Sequence, residues 1–105
     1  MRIIDIRNNN ISSLPDSICD LNILWKLRAD FNQLSELPFN IGRLSRLEVL
    51  TLSNNNIKSL PKSLFQIGDK MGMLTLNDNK ISNISRGIGN LRKLRIFLIH
   101  NNLIS

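Results

Sequence analysis

The sequence predicts an α/β repeat solenoid, with parallel strands stacked along one side and short helical or irregular segments returning along the other. Three observations predict it. The stretch Leu47 to Pro61, LEVLTLSNNNIKSLP, recurs along the whole chain, in copies that start at Met1, Leu24, Leu47, Met71 and Leu94. An Asn stands at the ninth place of every copy: Asn9, Asn32, Asn55, Asn79 and Asn102. Around it runs a frame of apolar places whose spacing fits neither a helix nor a strand alone. Self-similarity at one fixed period marks a repeat architecture and takes precedence over local propensity. The 105 residues divide into repeats 1–23, 24–46, 47–70, 71–93 and a partial 94–105, all within one domain.

Each repeat opens with a strand. The fourth place holds Ile4, Leu27, Leu50, Leu74 and Phe97, and the sixth holds Ile6, Ala29, Leu52, Leu76 and Ile99. Residues two apart share one face of a strand, so this face points into the core and Thr51 and its equivalents point out. A buried amide is costly without hydrogen bonds, so the ninth-place Asn needs partners. Pro15, Pro38 and Pro61 each follow a Leu and fix the return path, because proline locks φ and removes a donor. The return segments DSICDL, FNIGRL and KSLFQI keep apolar residues three apart, at Ile18 and Leu21, Ile41 and Leu44, Leu64 and Ile67. That spacing suits a turn of 3₁₀ or α-helix. One such unit cannot bury its apolar face alone, whereas stacked neighbours share a continuous core.

The pattern resembles the leucine-rich repeat, L-x-x-L-x-L-x-x-N-x-L, over the whole chain. Within that family it is similar to the short, Leu-Pro-containing class of intracellular scaffold proteins related to Ras-signalling adaptors. The resemblance implies a right-handed horseshoe segment with its strands on the concave face. It also implies that Asn9, Asn32, Asn55, Asn79 and Asn102 form a ladder bonded to backbone groups of the turns. Solenoids carry atypical polar repeats at their ends. The chain shows no such segment, which suggests that further repeats or a cap lie outside it.

Departures from the repeat come in chain order. Asp5 and Arg7 face outward in the first repeat, and Arg28 and Asp30 hold the same places in the second. Neighbouring strands lie about 4.8 Å apart, so Asp5 is expected to pair with Arg28 and Arg7 with Asp30. Ala29 replaces a large residue in the core. Trp25 is expected to fold over the space left, while Phe31 either packs there or stands exposed as an anchor. The third repeat has one extra residue within Gly68-Asp69-Lys70. In the fourth, Ile84-Ser85 replaces Leu-Pro, and Gly87 and Gly89 are expected to loosen the return further. From the third repeat on, Val49, Met73 and Ile96 at the third place and Leu98 at the fifth make an outward apolar stripe. Beside it stand Thr51, Thr75 and His100. A contiguous apolar patch on a soluble surface points to a partner.

The net charge is +6 and the pI about 10.3. Arg43, Arg46, Lys70, Arg92 and Lys93 gather near the ends of successive repeats and are expected to form a solvated basic rim. The chain has one cysteine, Cys19, so no internal disulfide forms, which suits a reducing compartment. No apolar run approaches the length of a membrane span, and MRIIDIRNNN is too charged for a signal peptide. There is no phosphate-binding glycine loop, no Cys/His cluster with metal spacing and no G-x-S-x-G elbow. The expectation is a cytoplasmic, non-catalytic protein-interaction module without cofactor or metal, a scaffold or adaptor in signalling. Its expected contact residues are Arg28, Phe31, Val49, Thr51, Met73, Thr75, Ile96, Leu98 and His100. The alternatives are the recognition segment of a larger enzyme (kinase, GTPase or ubiquitin ligase) and, less favoured, a nucleic-acid or anionic-surface binder acting through the basic rim.

Overall fold

Three residues per repeat form a strand, and the rest of each repeat brings the chain back to start the next one alongside. The computed structural model describes residues 2–67 and 70–104. Strands β1 (Ile3–Asp5), β2 (Lys26–Arg28), β3 (Val49–Thr51), β4 (Met73–Thr75) and β5 (Ile96–Leu98) lie in chain order in one open parallel sheet. The register follows the repeat: Ile4 sits beside Leu27, Leu27 beside Leu50, Leu50 beside Leu74 and Leu74 beside Phe97. This is the expected solenoid. The extra residue expected within Gly68-Asp69-Lys70 falls mostly outside the described residues.

The return segments are 3₁₀ helices, at Asp16–Asp20, Ile41–Arg43, Lys62–Gln66 and Arg86–Asn90. Pro15 and Pro61 lead into theirs in extended conformation, with φ of −67° and −69°. The fourth return is as long as the first and third, although it has no proline and two glycines. Ser85 takes the place of proline, with φ of −63°, and its Oγ accepts from the Gly87 N–H at 3.1 Å. A capping hydroxyl thus replaces a locked φ. The loosening shows in packing instead: no residue of Arg86–Asn90 is buried, whereas Leu64 and Phe65 are buried in the preceding return.

The core runs along the stack. Leu24, Leu27, Ala29, Leu34, Leu50, Leu52, Ile57, Leu74 and Leu76 have essentially no exposure. Each large side chain buried this way stabilises by about 1.5–3 kcal/mol. At the two ends Ile4, Ile6 and Ile11, and Leu94, Phe97 and Ile99, are only half-buried, because each end repeat has a neighbour on one side.

The ninth-place Asn side chains stitch repeat to repeat. Asn55 Nδ2 donates to the Ala29 carbonyl at 3.1 Å and to the Leu52 carbonyl at 3.0 Å, while its Oδ1 accepts from the Leu34 N–H at 3.0 Å. Asn32, Asn79 and Asn102 repeat the pattern one step along. Asn9, exposed in the first repeat, donates to the Ile6 and Arg7 carbonyls of its own turn. The residue before each Asn turns the chain in left-handed backbone conformation: Asn8, Phe31, Asn54, Asp78 and Asn101 have φ between 56° and 61°. Asn and Asp tolerate this region, and a bulky Phe does so at a cost.

Candidate partner-binding face

The outward sides of the five strands form the face on which the expected contact residues lie. Strand register lines up Val49, Met73 and Ile96 in one row and Arg28, Thr51, Thr75 and Leu98 in another. The stripe is therefore contiguous. It is not uniformly open. Ile96 and Leu98 are 41% and 42% exposed, Val49 and Met73 are half-buried, and Thr51 and Thr75 are buried. The two threonines form a floor rather than a contact surface. His100 is exposed at the lip of the last repeat. Phe31 stands out from the lip of the second repeat, 56% exposed.

Neither aromatic fills the space beside Ala29 as a buried core residue. Trp25 is half-buried at the opposite rim, with Lys26 Nζ 4.7 Å from its ring centroid, in a cation–π contact. It lines an open hollow of about 470 Å³ together with Arg2, Ile23, Arg46, Glu48 and Lys70. Two members of the expected basic rim, Arg46 and Lys70, therefore gather there. Arg43 turns away to Asp20, 3.4 Å distant, in a pair more than 60% exposed on each side.

The expected charge pairs across the first two strands do not form. Asp5 does lie beside Arg28 in the register, but Arg7 reaches back along its own strand. Its Nε and one Nη bond the two Asp5 oxygens at 2.8 and 2.7 Å. The side-chain hydrogen bond from Arg7, with a weaker one from the Arg7 backbone, holds the Asp5 carboxyl below the usual aspartate range. Residues two apart share a strand face, so the shorter reach wins. Asp30 is likewise taken: its Oδ2 accepts from Thr51 Oγ1 and its Oδ1 from the Ser53 N–H, both at 2.7 Å. The Arg28 side chain makes no hydrogen bond or ion pair among the described residues, and its Nε is shielded from solvent without a partner.

The Asp30–Ser53 contact belongs to a second ladder that sequence reasoning missed. Ser53 Oγ accepts from the Asn77 N–H at 3.2 Å, and Asn77 Oδ1 accepts from the His100 N–H at 3.0 Å. Each seventh-place acceptor thus caps the backbone of the next repeat. The signal was a run of short acceptors at that place (Asp30, Ser53, Asn77), where Arg7 has none to offer.

Cys19 is buried in the first return, where desolvation, then the negative Asp16 and Asp20, push its thiol pKa up. His100 lies on the last repeat. Among the described residues no group of His, Cys, Asp and Glu could hold a metal ion, and no helix is long and apolar enough to cross a membrane.

A family model described as Leucine rich repeat matches residues 45–104, and a second, of the same description, matches residues 1–21. Human Toll-like receptor 1 is 32% identical over 79 residues, which cover 75% of this chain and 10% of the receptor. Plant intracellular Ras-group-related LRR protein 8 of Arabidopsis thaliana is 42% identical over 50 residues, or 47% of this chain and 13% of that protein. Among solved structures, a leucine-rich repeat protein of Leptospira interrogans superposes with a TM-score of 0.94 at 32% identity, covering 97% of this chain and 26% of that one. The chain thus spans about a tenth of the length of the first of these relatives. Proteins of this fold are typically non-catalytic, and leucine-rich repeat domains generally mediate protein–protein interaction. Repeat frame, stacked parallel sheet and matching models converge: the chain belongs to the leucine-rich repeat family.

Proposed function

We propose that this chain is a protein-interaction module of an intracellular scaffold or adaptor in signalling, and that it takes a protein partner on the concave strand face. The observation that carries the reading is the continuous row Val49, Met73 and Ile96, with Leu98 beside it, on the outward face of the sheet. Apolar area of this kind is retained on a soluble surface when a partner covers it. The Arabidopsis relative, intracellular and Ras-group-related by name, supports the compartment and pathway class, as does the single buried cysteine. Five strands at about 4.8 Å spacing give too small a face for a standard interface of about 800 Å² per partner. A standard contact therefore needs the lips, where Phe31 and His100 stand, or further repeats of a longer protein; without either, binding is weak.

The test is a pull-down from native lysate using the chain itself and the double variant Met73→Glu, Leu98→Glu, with circular dichroism to establish equal folding. A partner held by the first and lost by the second supports the reading. A partner held equally by both moves the site off the concave face.

A further inference from the structure

The Arg28 guanidinium lies on the sheet face near the Asp5 carboxylate, which feels its charge, yet it makes no side-chain hydrogen bond or ion pair among the described residues. It sits half-buried between Asp5 on one neighbouring strand and Thr51 on the other. A charge withdrawn from water is retained at a cost unless it is paired. Two carboxylates lie within its neighbourhood, and both are committed: Asp5 to Arg7, and Asp30 to Thr51 and Ser53. Water cannot make up the deficit at Nε, which is shielded and unpartnered. The outer guanidinium nitrogens remain as donors without a protein acceptor.

Three residues on, in the same repeat, stands a second anomaly. Phe31 occupies a left-handed turn position, φ 58°, that Asn or Asp fills in the other four repeats, and its ring is largely in solvent. The fold gains neither backbone ease nor full burial from it. One ligand accounts for both features: a carboxylate against a planar, five-donor guanidinium, next to an apolar group against an exposed ring.

Resting on the concave-face reading above, we infer that Arg28 and Phe31 form a subsite for an acidic side chain, Asp or Glu, flanked by an apolar residue on an extended segment of the protein partner. Asp5 on the neighbouring strand and Asp30 two residues along, held in their own bonds, disfavour a uniformly anionic polymer such as nucleic acid. The subsite thus selects one carboxylate in an otherwise uncharged stretch.

The experiment selects a phage-displayed library of random linear peptides on the folded chain. The binders are then synthesised with amidated C-termini, each also with its acid replaced by the corresponding amide. Affinities are measured on the native chain, on Arg28→Gln, and on Met73→Glu with Leu98→Glu. The expected result is that removing the acid or Arg28 weakens binding about tenfold or more, with little further loss when both are removed. Arg28→Gln should leave the melting temperature unchanged or raised, since it deletes an unpaired charge; a structural Arg would lower it. Binders that Met73→Glu with Leu98→Glu abolishes, but that ignore both the acid and Arg28, overturn the subsite and leave the concave-face reading standing. Binders that depend on the acid and Arg28 but ignore Met73 and Leu98 keep the subsite and refute the apolar stripe. Binders whose acid requirement vanishes once a free C-terminus is restored also overturn it, as does a library that yields no Arg28-dependent binder.

Discussion

Replacing Asn55 by Ala should cost far more than replacing Asn9 by Ala, although both residues hold the same place in their repeats. Asn55 is 6% exposed and bridges two repeats. Its loss strands the buried Leu34 N–H, at about 1–3 kcal/mol. The three carbonyls it serves are not stranded: Ala29 keeps Asn32 Nδ2 at 3.0 Å, Leu52 keeps Asn79 Nδ2 at 3.0 Å, and Ser53, the most distant at 3.4 Å, keeps the Phe31 N–H at 3.0 Å. Losing the two shorter bonds therefore adds only about 0.5 kcal/mol or somewhat more each, and the long one little. The sum is about 3 kcal/mol. Asn9 is exposed and its Oδ1 accepts from no donor among the described residues, so Asn9→Ala strands none of them. The Ile6 carbonyl keeps Asn32 Nδ2 at 3.0 Å, and the Arg7 carbonyl belongs to an exposed residue, so the cost is about 1 kcal/mol or less. With a urea slope of about 2 kcal/mol/M for a chain of this size, Asn55→Ala shifts the midpoint down by about 1.5 M and Asn9→Ala by less than about 0.5 M. Circular dichroism in urea reads both. Asn55→Asp is the control: it keeps an acceptor for Leu34 but turns the donor into an acceptor facing two carbonyls, so it should be no milder than Ala at neutral pH. Equal shifts for Asn9→Ala and Asn55→Ala would refute the ladder as a buried, inter-repeat device.

Three further substitutions test particular residues. A Cβ on Gly42 would run into the Ser63 carbonyl, part of a close approach in which Ser63 Oγ accepts from Gly42 N–H at 3.0 Å and donates to the Phe39 carbonyl at 2.6 Å; Gly42→Ala should lower stability by about 1–3 kcal/mol. A Cβ on Gly89 meets nothing within 4 Å, so Gly89→Ala should raise it by about 0.4–1 kcal/mol, and thermal melts of the pair test the contrast. Because the Asp5 carboxyl is held below its unfolded value of about 3.9, its bond with Arg7 contributes stability above that pH and loses it as pH falls through the lower folded value. Asp5→Asn should therefore flatten the acid limb of a urea-midpoint profile below about pH 4 and leave the slope near neutrality unchanged.

The frame was legible because it is periodic. An apolar place that returns in each repeat can be counted, and Leu27, Leu50 and Leu74 landed side by side as counted. Three-residue spacing pointed to returns of 3₁₀ or α-helix, and they are 3₁₀. What failed was local and rested on choice between partners. Spacing alone put Arg28 opposite Asp5, and the register agrees, but spacing is silent on whether Arg7 reaches Asp5 first. It likewise put Thr51 outward without showing that Asp30 would bond its hydroxyl and draw it below the surface. Trp25 was assigned to a gap in the core from its size, yet its place in the repeat carries it to the opposite rim.

The same period that reveals the scaffold also isolates what the scaffold does not need. At the eighth place four repeats carry Asn or Asp in left-handed conformation and one carries Phe31. A bulky residue there costs about 1–2 kcal/mol, and solvent covers more than half of this ring. At the fifth place Thr51 and Thr75 sink into the floor, while Arg28 keeps a charge without a partner. Repeats evolve against one shared structural demand, so the residue that breaks its column without improving the packing is under a different demand. On the strand face and its lip those residues are Arg28, Phe31 and Leu98. They converge on no core contact, and together they are where a partner's chemistry would be read.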